Sequence, residues 1–167
     1  SNDINIFVAP GNHDKVKNLP YEKDVFSLSM FGKINYPYVV DINKFSIIIE
    51  DSIKTNWLLA NETLSKIKKN KNSKLLLIRH NIPVHELSLL ANSQEGNLHR
   101  LPNVKRLSKI INRPLTIISG DSGAFHFLPR LSCYKYKNLR VILNGLGDIE
   151  GDTILILLNG SIYKYEI

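Results

Sequence analysis

The sequence predicts an α/β fold in which a mixed β-sheet is followed by a β meander, and three observations indicate it. Continuous apolar runs at residues 75–78 and 115–118 are typical of parallel strands that are buried on both faces. Each run follows a segment whose apolar residues recur at helical spacing. After residue 131 the chain consists of short strand-like segments separated by tight turns. The length of 167 residues suits a single domain.

The first third of the chain predicts three strands. Residues 4–9 form an apolar run that ends in Pro10-Gly11 and predicts a buried strand. Residues 36–40 and 45–49 are rich in β-branched and aromatic side chains, and the polar residues between them predict a hairpin turn.

Two amphipathic helices are predicted, one before each central strand. The first covers residues 55–69, and its apolar face is formed by Trp57, Leu58, Leu64 and Ile67. The second ends before Pro114, and its apolar stripe consists of Val104, Leu107, Ile110 and Ile111.

The last third of the chain predicts the β meander. Its strands are expected at residues 132–136, 139–143, 153–158 and 161–167. Asn159-Gly160 between the last two is a strong hairpin signal, because both residues tolerate positive φ angles.

Composition and charge exclude several classes of function. The single cysteine, Cys133, excludes an internal disulfide framework and a cysteine-based zinc cluster, and its strand-like surroundings predict a buried thiol. No apolar run reaches the roughly 18 residues of a transmembrane helix. The net charge is +7, but the lysines at residues 66–74 are mixed with asparagine and not with aromatics, so nucleic-acid binding is not expected. We expect a cytoplasmic protein, with Ser1-Asn2 as a remnant of expression.

Polar residues follow three of the predicted strands in the same way. Gly11-Asn12-His13-Asp14 follows the first strand, Arg79-His80 follows the run at 75–78, and Gly120-Asp121 follows the run at 115–118. In α/β sheets ligands bind at the carboxyl ends of the strands. The pattern therefore predicts one shared site that is built from three loops.

Several of these residues have simpler explanations when each is taken alone. His80 suits a structural histidine as well as a metal ligand, and Asp121 suits a cap of the following turn. Gly120-Asp121-Ser122-Gly123 also matches part of the nucleophile loop of trypsin-like serine proteases. The protease match stops at Ala124, and the chain is too short for the two β-barrels of those enzymes.

The motifs taken together resemble the calcineurin-like metallophosphoesterases. Gly11-Asn12-His13-Asp14 matches a motif of that family, and residues 75–83 match its strand that carries a lone metal-binding histidine. The segment that ends in Asp51-Ser52 and the pair Trp57-Leu58 also resemble family segments. The likeness spans nearly all 167 residues, which correspond to the second half of the family pattern. It implies the C-terminal part of an α/β/β/α sandwich and one domain, incomplete, over residues 1–167.

The resemblance implies roles for individual residues. Asn12, His80 and Asp121 would be ligands of a divalent metal (Mn, Fe, Zn or Mg), and the family reaction would be hydrolysis of a phosphate ester by a metal-bound hydroxide. His13, held by Asp14, would protonate the leaving group or stabilise the phosphoryl oxygens. Auxiliary or substrate-contacting roles are considered for Arg79, His85 and His126.

Two departures from the family pattern shape the functional expectation. The Asp-x-His and Gly-Asp-x-x-Asp motifs are not in this sequence, and Asp121 and Gly123 stand where Gly-His-x-His has its histidines. We therefore expect at most one weak metal site and no turnover by this polypeptide alone.

The expected partners follow from the same departures. They are a phosphorylated substrate of unknown type and either the upstream part of the same domain or a second copy of the chain. The alternative to a phosphoesterase fragment is a catalytically degenerate binding or scaffold module of the same fold. An unrelated α/β binding protein is a third alternative.

Overall fold

A computed structural model of the chain describes residues 8–11, 35–42, 45–55, 57–90, 98–120, 131–144, 153–158 and 161–166. Within these residues the helices are α1 (Asn61–Lys69), α2 (His85–Leu90) and α3 (Val104–Ile111), with one 3-10 turn at Leu98–Arg100. The strands are β1 (Tyr38–Ile42), β2 (Phe45–Ile49), β3 (Lys74–Arg79), β4 (Leu115–Ser119), β5 (Leu131–Tyr136), β6 (Leu139–Asn144), β7 (Thr153–Leu158) and β8 (Ser161–Glu166).

The strands form a mixed six-stranded sheet and a separate hairpin. The order in the large sheet is β1-β2-β3-β4-β6-β5, and β7 pairs with β8. The four central strands β2, β3, β4 and β6 are parallel, whereas β1 and β5 run antiparallel at the two edges. The predicted α/β class with a mixed sheet is therefore confirmed. The carboxyl ends of the four parallel strands meet at one edge, and the predicted site residues follow two of them.

One face of the sheet packs against the helices. Its central row crosses the sheet through Ile48, Leu77, Ile117 and Val141, all of which are at most 1% exposed. The same core contains side chains of α1, α2 and α3, namely Ile67, Leu87, Leu107 and Ile111. These helices therefore cover the row with the apolar faces that their sequences present.

The second face of the sheet is also apolar. Ile47, Ile78 and Ile118 alternate with the helix-covered positions and are half-buried, and Leu76 and Ile142 on the same face are buried. The near-continuous apolar character of these strands comes from having two apolar faces.

The predicted β meander is wrong in its arrangement. The segments at 131–136 and 139–144 form strands as expected, but β6 pairs in parallel with β4, and β5 lies outside it at the edge. Of the expected meander only the β7–β8 hairpin is separate. Strand patterns identify strands but not their partners, because the β4–β6 pairing joins segments that are distant in the chain.

Two other expectations need correction. The first helix begins at Asn61 and not at residue 55, since Trp57 has φ 74° in the left-handed region and lies in a turn. Cys133 is exposed, because it lies on the edge strand β5, where its sulfur accepts a 3.3 Å hydrogen bond from Arg140 Nε.

The start of the chain is described in part. Residues 8–11 are buried or half-buried and lie outside any strand, and the remainder of the first predicted strand falls outside the described residues. No helix among the described residues is both long enough and apolar enough to cross a membrane.

Candidate functional site

The candidate site lies at the carboxyl edge of the parallel strands. His80 directly follows β3 and Gly120 directly follows β4, and these two strands are neighbours. The backbone N–H of Gly120 donates a 3.0 Å hydrogen bond to the carbonyl of His80. The ladder between the two strands thus extends to the first residue of each loop, which fixes the two loops relative to each other.

The Pro10-Gly11 segment approaches the same histidine. A Cβ atom placed on Gly11 would lie 3.1 Å from His80 Nδ1 and 3.2 Å from its Cε1. A Cβ on Gly120 would lie 3.7 Å from the same Nδ1. Tyr36 holds the approaching segment by donating a 2.7 Å hydrogen bond from its hydroxyl to the carbonyl of Val8. The beginnings of the three polar loops therefore meet at one imidazole, and at Gly11 a side chain would fit only if the His80 ring moved by a few tenths of an ångström.

Five of the sequence-predicted site residues lie outside the described residues. They are Asn12, His13 and Asp14 after Gly11, together with Asp121 and His126 after Gly120. Their chemistry remains an expectation from the sequence, whereas the positions at which their two loops begin are known.

Asp51 is a neighbour of His80 that the sequence analysis did not include among the site residues. Ile49 pairs with Ile78 at the end of the β2–β3 ladder, and Asp51 and His80 each follow two residues later, which brings both to the same edge of the sheet. Asp51 Oδ1 accepts hydrogen bonds from the backbone N–H groups of Ile53 (3.1 Å) and Lys54 (3.4 Å). The sequence signal that could have found it was an acidic residue two positions after an apolar strand, the pattern that also singled out Asp121.

The second oxygen of Asp51 is buried and poorly satisfied. The side chain is 1% exposed, and Oδ2 lies 3.8 Å from Lys54 Nζ without any hydrogen bond to a described residue. A buried carboxylate oxygen in this state requires a compensating partner, such as a water or an ion. Because it follows β2 at the same edge of the sheet as His80, Asp51 is a candidate to contact a ligand there.

A polar network fixes the loop that follows His80. The backbone N–H of Asn81 donates to Ser52 Oγ (3.1 Å), and the Ser52 hydroxyl donates to Asn81 Oδ1 (2.9 Å). Ser119 Oγ donates to the carbonyl of Asn81 at 3.3 Å. All three side chains are fully buried. These bonds join the loops after β2 and β3 to the last residue of β4 at the edge of the sheet where the candidate site lies.

Arg79 does not fit the auxiliary role that the sequence suggested. Its side chain is on the helix-covered face, opposite to His80, and is 1% exposed. Arg79 Nη1 lies 2.7 Å from Glu50 Oε2, and Nη2 donates to the carbonyl of Trp57 at 2.6 Å. Burial lowers the pKa of Arg79, and the adjacent Glu50 carboxylate opposes this by raising it. The interpretation of Arg79 as a substrate contact is corrected to a structural one, because successive strand residues face opposite sides.

His85 is separated from the sheet edge by a buried connection. It is the first residue of α2, and its backbone N–H donates to the carbonyl of Pro102 at 3.1 Å. Ile82 and Val84 between His80 and His85 are fully buried. His85 is thus held on a different element from His80.

The described donors give a partial fit to a divalent metal. An imidazole and a carboxylate are ordinary ligands of Mn, Fe and Zn, and the poorly satisfied oxygen of Asp51 suits a cation. The part of the chain that the structure describes contains no group of three or more His, Cys, Asp or Glu that could hold a metal ion. A complete ligand set therefore depends on the two loops that begin at Gly11 and Gly120.

Comparison with family models, with curated proteins and with solved structures found no match. The likeness to calcineurin-like metallophosphoesterases therefore rests on the motifs in the sequence.

Proposed function

We propose that this protein is a metal-dependent phosphoesterase, or part of one, that hydrolyses a phosphate ester at the carboxyl edge of its parallel strands. The observation that carries the proposal is the close approach of both Gly11 and Gly120 to the imidazole of His80. It supports a shared site because the loops that continue from these glycines contain Asn12, His13 and Asp121.

His80 is the residue best placed to hold the metal. Asn12 and Asp121 would add amide and carboxylate oxygens, and the buried Asp51 oxygen would add negative charge nearby. A bound divalent ion would supply Lewis-acid activation of the phosphate ester and of water.

The remaining chemistry falls to residues of the Gly11 loop. His13 would donate a proton or a hydrogen bond to the departing oxygen, and Asp14 would orient its imidazole. Gly11 contributes by having no side chain, which allows this loop to approach His80. The network of Ser52, Asn81 and Ser119 would keep the ligand loops rigid.

The proposal includes the α/β/β/α sandwich that the family likeness implies. The apolar second face of the six-stranded sheet supports it, since Ile47, Ile78 and Ile118 are suited to packing against a second layer.

A binding module without catalysis is the second candidate function. It is favoured by Gly123, which has no side chain where the family pattern has a histidine, and by Asp121, which replaces the other. In this case the site would bind a divalent metal, alone or with a phosphorylated ligand, but would not hydrolyse the ester.

Calorimetric titration of chelator-treated protein with Mn²⁺ tests the metal site. We expect His80→Ala to weaken Mn²⁺ binding at least tenfold, because it removes the imidazole that both glycines approach. His99→Ala is the matched control, since His99 is exposed in the 3-10 turn and should leave the affinity unchanged.

Hydrolysis of an aryl phosphate by the full-length protein then separates the two functions. Turnover that is lost in His13→Ala supports the phosphoesterase, and Mn²⁺ binding without turnover supports the binding module. Equal Mn²⁺ affinity in the native protein and in His80→Ala would contradict both.

A further inference from the structure

A groove of about 500 Å³ lies at the opposite end of the parallel strands from His80. Residues at the beginnings of β2, β3, β4 and β6 line it, together with the turn between β5 and β6 and the first residues of β8. The five residues of β4 alone separate the two edges of the sheet by roughly 16 Å, at about 3.3 Å per residue. The groove is therefore distinct from the candidate metal site.

The charged residues of this groove all have the same sign. Its lining includes Lys74, Lys135, Lys137 and Arg140, and it includes no aspartate or glutamate. All four cationic residues are exposed, and none forms an ion pair with a carboxylate in the described ranges. Four positively charged residues that line one concavity create a local potential that attracts anions.

The fold places two of these charges against each other. Lys135 and Arg140 are direct partners in the antiparallel β5–β6 pair, so their side chains share one face of the sheet. Like charges directly opposite each other destabilise a strand pair. Lys137 in the adjoining turn has φ 50°, a left-handed conformation in which glycine or asparagine is favoured over lysine. An anion bound between these residues would offset the repulsion.

The walls of the groove are fixed by partly buried hydrogen bonds. Asn138 Nδ2 donates to the carbonyls of Ser108 (3.2 Å) and Arg113 (2.9 Å), which anchors the β5–β6 turn to α3 and to the segment before β4. Arg113 in turn donates from Nη1 to the carbonyls of Ile67 and Asn70, and from Nη2 to that of Asn72, at 2.5–2.8 Å. The site is therefore largely formed in the absence of a ligand, which lowers the entropic cost of binding.

We propose that this groove binds a phosphorylated small molecule that carries two or more negative charges. The volume is in the range of small-molecule sites, and lysine ammonium groups bind phosphate as point charges. Phe45, Leu76 and Ile162 in the lining offer apolar contact to the uncharged part of such a ligand. The proposal stands independently of the phosphoesterase function, because it uses different residues at a different edge.

Calorimetric titration with inorganic tripolyphosphate in the presence of EDTA tests the charge recognition without any contribution from a metal site. We expect one molecule to bind per chain, and we expect Lys135→Glu/Lys137→Glu to lower the affinity at least tenfold. Lys105→Glu/Lys109→Glu is the matched control: it makes the same change in net charge on exposed positions of α3, and it should change the affinity less than twofold. His80→Ala should leave the affinity unchanged.

Several outcomes would overturn the proposal. Equal losses in the two double variants would show attraction by net charge alone, and a loss in His80→Ala would assign the anion to the other edge. Binding to vesicles of phosphatidylcholine and phosphatidylserine, or to a single-stranded oligonucleotide, without binding to tripolyphosphate would also overturn it. Lys135→Arg/Lys137→Arg keeps the charges and should restore binding, which separates loss of charge from misfolding.

Discussion

At the scale of single residues, the two glycines beside His80 differ in how much space they leave. A Cβ on Gly11 would lie 3.1 Å from His80 Nδ1, which is tighter than ordinary side-chain packing, whereas the nearest atoms to a Cβ on Gly120 are at 3.7 Å. Neither glycine has a left-handed backbone conformation, so the two positions differ in the space beside them and not in backbone strain. The same substitution at the two glycines therefore places a methyl group at two different distances from one atom, His80 Nδ1.

Gly11→Ala should displace the His80 ring by a few tenths of an ångström, whereas Gly120→Ala should not. We expect the imidazole resonances of His80 in NMR spectra to shift in the first variant and to stay near their native positions in the second. If His80 holds a metal, Gly11→Ala should also weaken Mn²⁺ binding by about tenfold, which corresponds to a loss of roughly 1.4 kcal/mol in binding free energy. Equal shifts in both variants would contradict the close approach of Gly11.

At the scale of secondary-structure elements, the Glu50–Arg79 ion pair connects β2, β3 and the beginning of α1. Glu50 follows β2, Arg79 ends β3, and both side chains are at most 2% exposed. Glu50 Oε1 also accepts a 2.9 Å hydrogen bond from the backbone N–H of Ala60, the residue that precedes α1. The pair therefore takes the place of a side-chain cap for this helix.

Glu50→Gln should lower the free energy of unfolding by about 3–5 kcal/mol, because it leaves the guanidinium of Arg79 buried without a counter-charge. Chemical denaturation measures this change. Glu62→Gln is the control, since Glu62 pairs with Lys66 on the surface of α1 at 3.7 Å and its loss should cost about 0.5 kcal/mol or less. A small effect of Glu50→Gln would show that water reaches the pair.

At the scale of the whole molecule, one core connects the large sheet to its helices. The cluster runs from Ile48 in β2 to Val141 and Leu143 in β6 and includes side chains of all three described helices. Since these elements share a single core, we expect the part of the chain that contains them to unfold in one cooperative transition.

Leu139→Ala tests this cooperativity, because Leu139 is 1% exposed at the beginning of β6. We expect a loss of about 2–5 kcal/mol in the free energy of unfolding. The fluorescence of Trp57, the only tryptophan, should report the same midpoint as far-UV circular dichroism, although it is located between β2 and α1. Leu89→Ala, at a position 57% exposed, should change stability by less than about 0.5 kcal/mol. Separate midpoints for the two probes would contradict a single core.

The part of the candidate site that could be predicted was the position of His80 after a central strand. The continuous apolar runs identified β3 and β4, and the end of each run showed which polar residues come next. The burial of Arg79 could not be predicted in this way, because the short apolar run before it does not show which face the helices cover. Asp51 was missed because its place at the same sheet edge as His80 depends on the pairing of β2 with β3.

Local sequence determined the elements of this protein, and tertiary structure decided how they are combined. Apolar periodicity was sufficient for α3, and continuous apolar runs were sufficient for the central strands, because these patterns report on local geometry and burial. The insertion of β6 between β4 and β5 was decided by pairing between segments that are distant in the chain. That pairing also placed Lys135 and Arg140 in the same groove as Lys74. The spacing of these residues along the chain could not predict this, because it does not show which strands are neighbours in the sheet.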